Sequence, residues 1–258
     1  MPIHPSAVVD ASVRVPESCT IGPFCVVGPD VEMGEHCELV SHVSLTGPTK
    51  LGSHNRLHPF AVVGMGPQDL SFKNDPTRLE IGDYNEIREY VTVHRGTIKG
   101  GGLTKIGSHC LIMAYAHIAH DCFIGDNVIM ANAATLAGHV IVEDWAGVGA
   151  LSPVHQHVRI GKHSYIGGGT VITQDVMPFA KTSSVREVHA YGANSVGLER
   201  RGFSKERVRA IQRAFRILLA AKLNTTQALE RIERDVEQTE DVQQLVQFIR
   251  SSERGVLK

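Results

Sequence analysis

An aliphatic residue recurs at every sixth position along most of this chain, and few folds can accept that period. From Ile3 the frame runs through Val9, Val15, Ile21, Val27, Met33, Leu39, Leu45, Leu51, Leu57 and Val63. It returns at Ile81, Ile87 and Val93. After a shift it continues from Ile106 through Ile112, Ile118, Ile124, Met130, Leu136, Val142, Val148, Val154, Ile160 and Ile166 to Ile172. A period of six matches neither an α-helix nor a lone strand, but it fits a coil with repeated corners. Glycine often follows the aliphatic residue, as in Ile21-Gly22, Ile81-Gly82, Ile106-Gly107 and Ile124-Gly125. That suits a short strand entering a tight bend. Three such strands close a triangular coil of about 18 residues, and coils stack at the ~4.8 Å spacing of paired strands. The chain therefore reads as mainly β, a parallel β-helix of hexapeptide repeats over residues 1–180.

The register breaks twice. Asp69 and Asp75 occupy frame positions, so Gly66 to Arg78 is predicted to loop out. A second excursion is expected near 98–105, around Lys99-Gly100-Gly101-Gly102. Departures from a stiff solenoid are where binding groups gather. The repeat ends between Ile172 and Pro178. From Ser204, a plausible N-cap, apolar residues follow helical steps at Val208, Ile211, Phe215 and Leu218. A second helix starts at Thr225 or Thr226 with Ala228, Leu229 and Ile232, and a third at Asp241 with Leu245, Phe248 and Ile249. A C-terminal α-helical domain over 190–258 is thus expected to cap the stack and hide its open edge.

Composition removes several classes of function. Net charge is −1 over 258 residues. No basic segment followed by an apolar run opens the chain, and no stretch approaches the ~18 apolar residues of a membrane span. A cytoplasmic protein is expected. Aromatics are few and the basic patch is local, which argues against nucleic acid. The cysteines, Cys19, Cys25, Cys37, Cys110 and Cys122, form no CxxC pair. Each lies four residues after a repeat aliphatic, the slot that also holds Ala7, Ala61, Ala116, Ala134, Ala146, Ser152 and Ser164. Packing, not redox or metal chemistry, explains them.

Two constellations could carry chemistry. Among 14 histidines, His120, His139 and His155 come roughly one coil apart and are expected to form a column, with His117 beside His120 across a corner. One reading is a polar surface stripe; Asp121, adjacent to His120, favours function. Imidazole suits general-base work near neutral pH, and a carboxylate can orient it. Zinc is the competing role, but the close pair His117/His120 is spaced only three apart, and no metal is expected. The second constellation is Arg200-Arg201-Gly202-Phe203, opening a stretch to Arg216 with seven basic residues and one acid, Glu206. It reads as a solvated helix face, a phosphate clamp or a docking surface for an acidic protein.

The hexapeptide repeat resembles that of the left-handed β-helix acyltransferases. Ordered segments narrow the resemblance to the UDP-N-acetylglucosamine acyltransferases that begin lipid A (lipopolysaccharide) synthesis. They are Gln68-Asp69-Leu70, Asp75-Pro76-Thr77-Arg78, Val93-His94-Arg95-Gly96-Thr97, Gly100-Gly101-Gly102-Leu103-Thr104-Lys105, Ala116-His117-Ile118-Ala119-His120-Asp121-Cys122, Thr135-Leu136-Ala137-Gly138-His139-Val140, Val154-His155-Gln156 and Arg200-Arg201-Gly202-Phe203-Ser204. The helical cap distinguishes the chain from shorter acetyltransferases, and it has no room for the separate uridine-binding domain of the related N-acyltransferase.

The resemblance implies transfer of a 3-hydroxyacyl chain from acyl carrier protein to the glucosamine 3-position. His120 would be the general base, Asp121 its orienting carboxylate, and the Gly138 N–H the oxyanion donor. It implies sugar-nucleotide contacts from Gln68, Asp69, His117, His139 and Gln156, with His155 beside them, and uridine or phosphate contacts from Asn194, Arg200 and Arg201. Gly168 matches the position that measures the acyl chain, where a small residue admits a long one. A homotrimer and no cofactor are implied. The alternatives are a hexapeptide transferase acting on another nucleotide sugar or its 3-amino analogue, and a metal-dependent β-helix of the carbonic-anhydrase kind. The chain also departs from the family pattern: Ser71 replaces a common lysine, with Lys73 nearby, and Val196 stands where glutamate is common. Ser183 to Val188 replaces a Gly-Asn segment with an apparent one-residue insertion.

Overall fold

The computed structural model describes residues 3–185, 187–220 and 223–258; Arg186, within the divergent segment, lies outside them. Three sheets wind into a left-handed parallel β-helix, each coil giving one short strand to each sheet. The first sheet stacks Val8–Val9, Val26–Val27, Ser44–Leu45, Val62–Met65, Thr92–His94, His117–Ile118, Thr135–Leu136 and Pro153–Val154. Its inward residues Leu45, Val63, Val93, Ile118, Leu136 and Val154 lie directly over one another and are buried. The repeat aliphatics thus form one continuous core, the main favourable term for a fold with such short strands.

Each coil turns through residues in the left-handed region. From Tyr115 onward these are Asp121, Asn127, Ala133, His139, Trp145, Leu151, His157 and His163, one in every six, with φ between 55° and 64°. Side chains other than glycine pay for this conformation. An offsetting hydrogen bond is made each time. The corner N–H reaches a carbonyl of the preceding coil, as in His139 to His120 (3.0 Å), Trp145 to Asp126 (2.9 Å) and Leu151 to Asn132 (2.9 Å), except at Asp121, whose N–H takes the Thr104 hydroxyl instead. The ladder between coils is therefore continuous around the bends.

The prism has three corners. The second sheet runs from Val31–Met33 to Arg159–Ile160 and the third from Thr20–Ile21 to Tyr165–Ile166; corner I joins the first sheet to the second, corner II the second to the third, and corner III the third to the first. Every irregularity falls at corner I. The cis Gly47–Pro48 bond lies there, and so do both register breaks. Coil-to-coil spacing in the first sheet is 18 residues from Leu45 to Val63 and from Ile118 to Leu136. It is 30 from Val63 to Val93 and 25 from Val93 to Ile118. The first excursion runs over 66–77, one residue short of the expected 66–78, because Arg78 already begins a strand paired with Leu103. The second is 95–102, not 98–105, because Leu103–Ile106 is already a strand paired with Arg78–Ile81.

All five cysteines are buried and free. The Sγ atoms of Cys19, Cys37, Cys110 and Cys122 each lie 3.0–3.2 Å from a carbonyl oxygen of the adjacent coil. Burial pushes Cys37 and Cys110 up to about 11 and Cys122 to about 12, which removes thiolate chemistry at neutral pH.

After the last coil, Ala180–Val185 and Glu187–Ala193 form an antiparallel hairpin on the edge of the third sheet, an element the sequence did not announce. Helices α1 (Ser195–Arg200), α2 (Lys205–Leu218), α3 (Thr225–Asp235) and α4 (Glu240–Arg250) follow. Ser204, Asn224 and Thr239 cap the last three through their side chains. A bidentate Arg207–Asp241 pair (2.8 and 2.9 Å) joins α2 to α4. The Arg159 guanidinium over the Phe248 ring (4.3 Å) fastens the helices to the coils. Among the described residues no helix is long and apolar enough to cross a membrane.

Candidate active site

At corner I the chain bends through 119–122, and the left-handed residue is Asp121 (φ 59°), 2% exposed. A carboxylate that deep must be fully hydrogen-bonded. Oδ1 accepts the Thr97 N–H (2.8 Å), and Oδ2 accepts the Thr97 hydroxyl (2.6 Å) and lies 2.8 Å from His120 Nδ1. The Asp121 N–H donates to Thr104 Oγ1 at 2.8 Å. Thr97 belongs to the second excursion, where its hydroxyl also caps the short turn Ile98–Gly100. That turn can close over the carboxylate only because residue 100 is glycine: a Cβ there would stand 2.0 Å from Asp121 Cγ. The register break thus delivers both donors that hold Asp121.

With Nδ1–H given to the carboxylate, His120 presents Nε2 as the free, basic nitrogen. Its ring lies over Gly138 of the next coil, where a Cβ would be 2.4 Å from Cε1. The Gly138 N–H has no acceptor among the described residues, while its carbonyl accepts from His157. The His139 ring meets His120 edge-on (5.2 Å, 87°) and stacks on His157 (4.4 Å, 11°). Burial keeps His139 below its ordinary value despite Asp121 at 3.8 Å. On the other side, His117 Nδ1 meets Thr92 Oγ1 (2.7 Å), and its ring packs edge-on against His94 (4.9 Å). Burial lowers His117, with His120 adding to the effect, and pushes the enclosed His94 down to about 4. Burial thus disfavours the charged form of the histidines flanking His120.

The first excursion folds onto the second. Lys99 Nζ lies 3.3 Å from Ser71 Oγ, and the Arg95 guanidinium sits 5.8 Å from the Phe72 ring. Asp69 accepts the Ser71 N–H (2.7 Å), which holds its carboxyl below the usual range; the charges of His120 and Lys99 act in the same direction. Gln68 is exposed on the same loop.

The expected column needs correction. Strict 18-residue stacking places Asp121, His139 and His157 in one file, and His120, Gly138 and Gln156 in the next. His120 and His139 are 19 apart and so occupy different files. His155 is level with Ala119 and Ala137, and its Nδ1 lies 3.1 Å from the Gln156 carbonyl and 3.5 Å from Arg254. The remaining expected residues are on other corners. At corner II, Arg201 reaches His163 Nδ1 (3.3 Å) and lies over the Trp145 ring (5.5 Å). Asn194 caps α1 and donates to the His163 carbonyl (3.2 Å). Arg200 closes α1, exposed. Gly168 is at corner III, where a Cβ would be 3.2 Å from the Ala150 carbonyl oxygen.

Sequence reasoning gave no role of their own to Thr97, Thr104, His94 and His157. Only His157 carried a signal, its 18-residue distance from His139. His120, Asp121 and His139 each offer a donor atom within 4.8 Å of the others, a grouping that could hold a metal and that the 117/120 spacing did not anticipate. The Asp121 oxygens already accept three hydrogen bonds, however, and the geometry is that of an acid–base dyad.

A base oriented by a buried carboxylate on a hexapeptide coil defines a hexapeptide-repeat transferase. The family model for bacterial transferase hexapeptides (six repeats) matches residues 103–138, the coils carrying the dyad, and that for domain 2 of UDP-N-acetylglucosamine O-acyltransferase matches 175–257. The acyl-(acyl-carrier-protein)–UDP-N-acetylglucosamine O-acyltransferase of Halorhodospira halophila is 49% identical, and that of Alkalilimnicola ehrlichii 48%, each over 99% of both chains. The solved structure of the Moraxella catarrhalis UDP-N-acetylglucosamine O-acyltransferase (39% identity) superposes with TM-score 0.94, and LpxA from Acinetobacter baumannii (39%) with 0.95, over the whole of both chains. The chain belongs to the UDP-N-acetylglucosamine O-acyltransferase family.

Proposed function

We propose that this protein transfers a 3-hydroxyacyl chain from acyl carrier protein to the 3-hydroxyl of UDP-N-acetylglucosamine, the first step of lipid A synthesis. The observation that carries this reading is the dyad: His120 Nε2 free, Nδ1 held by a buried carboxylate, and an unbonded N–H at Gly138 beside the ring. His120 takes the hydroxyl proton as the sugar oxygen attacks the thioester carbonyl. Asp121 stabilises the imidazolium, and the Gly138 N–H receives the charge on the carbonyl oxygen, an interaction worth a few kcal/mol in comparable sites. Collapse expels the carrier thiolate, which recovers the proton from His120.

Gln68, Asp69, His117, His139 and Gln156 face or border this corner and suit contacts to the sugar, with His155 at the margin. Asn194, Arg200 and Arg201 lie near corner II and Gly168 at corner III, so a single prism cannot bring them to His120. A homotrimer, with each site shared between neighbours, resolves this. The small Gly168 would leave room for a long acyl chain. The basic face of α2 suits an acidic carrier protein, and such a donor fits a cytoplasmic reaction.

Mass spectrometry of product from 3-hydroxyacyl carrier thioesters and UDP-N-acetylglucosamine tests the activity; absence of an acylated nucleotide sugar would overturn it. Co-assembly of His120→Ala and Arg201→Ala chains tests the shared site. Mixed trimers should recover transfer that neither variant performs alone, and no recovery would refute the trimer arrangement.

A further inference from the structure

We propose that Lys99 is a substrate-binding residue, its ammonium a contact to the diphosphate of the nucleotide sugar at the mouth of corner I. The proposal rests on the function proposed above. Lys99 lies between two residues fixed against Asp121: Thr97, which donates twice to the carboxylate, and Gly100, whose Cα packs onto it. Its backbone is therefore as well placed as the dyad itself. Its side chain is exposed but reaches across to the other excursion, with Nζ 3.3 Å from Ser71 Oγ.

The charge so placed is not neutralised. Among the described residues no carboxylate lies within ion-pair distance of Lys99, and the nearest acid, Asp69, gives Oδ1 to the Ser71 N–H instead. Lys99 and His120 both act electrostatically on Asp69, so base, acid and ammonium share one neighbourhood. An acceptor hydroxyl at His120 leaves the anomeric phosphate one sugar ring away, on the scale of that neighbourhood. An exposed ammonium without an ion pair, on a flexible stem, is suited to phosphate as a point charge.

Calorimetry of UDP-N-acetylglucosamine binding is the primary test, because it does not depend on turnover. Lys99→Gln should weaken binding about tenfold, raise KM for the nucleotide sugar to match, and leave kcat and KM for the acyl carrier thioester within about twofold. Lys99→Arg should keep most of the affinity. The double variant S71K/K99Q should recover much of it, because a lysine at 71 starts where the Lys99 amine ends. Unchanged affinity in Lys99→Gln, a loss confined to the carrier-protein KM, or recovery in neither Lys99→Arg nor the double variant would each overturn the proposal. Wild-type protein that binds the nucleotide sugar through Lys99 but forms no product would instead sink the proposed reaction.

Discussion

At corner III the left-handed positions hold Phe24, His42, Phe60, Tyr90 and Tyr115, whose rings stack at 4.8–5.0 Å. At corner I the same backbone position holds Asp30, Asp121, His139 and His157. Corner III is periodic, and each ring is its neighbour's partner. Corner I is interrupted twice, and the inserted segments supply hydroxyl, amide and ammonium groups that no repeat position could offer. The bend is common to both. Chemistry arises where the repeat is broken, because a fixed carboxylate needs donors from outside its own file.

The largest effect expected from this difference is at the base. His120→Ala should lower acyl transfer by ~10²–10⁴-fold with an unchanged circular dichroism spectrum; residual activity within tenfold of wild type would contradict it. Gly138→Ala comes next. Its methyl must displace the His120 ring, and about a hundredfold loss of kcat is expected. Leu151→Ala, at the left-handed position of corner III, should cost little activity. Thr97→Val, which removes one of the two Thr97 donors to Asp121, should reduce kcat about tenfold and destabilise by ~1–3 kcal/mol, with Thr97→Ser restoring both.

A pH prediction follows from His94 at corner I and His163 at corner II, each pushed by burial to about 4. Their folded values lie below the unfolded value of 6.5, so the unfolded chain takes up protons first. Stability is full above about 6.5 and falls as the pH drops toward 4. Melting temperature should decline across that window, and His94→Asn should flatten the decline. The smallest effect is expected at corner III: Tyr90→Ala should lower stability by ~0.5–1.5 kcal/mol and leave kcat within twofold. A larger drop in kcat there would erase the distinction between corners.

The prism was legible because its signal is redundant. Ile118 could be assigned inward from Ile112 and Ile124 alone, and the buried core follows that frame. The dyad was legible because its partners are adjacent in sequence. The file of histidines was misread by one position, since a one-residue difference on an 18-residue coil moves a side chain to a different file. Thr97 and Lys99 were invisible for a different reason. They lie where periodicity stops, and only the folded path of an insertion determines that its hydroxyl meets Asp121 or its amine meets Ser71. The hairpin at Ala180–Ala193 was hidden likewise, as its strands pair with the edge of the stack and with each other.

The unbroken ladder through the corners also sets a grain for distances along this molecule. Groups on successive coils can differ in height only by whole rungs of ~4.8 Å, plus the constant offset between corners. Gaining or losing a coil between His120 and Gly168 would therefore change their separation by several methylene units at once. Finer adjustment has to come from the length of a side chain at a fixed rung. In the acyl-chain role proposed above, Gly168 would mark the zero of that scale, and every larger residue would subtract from it.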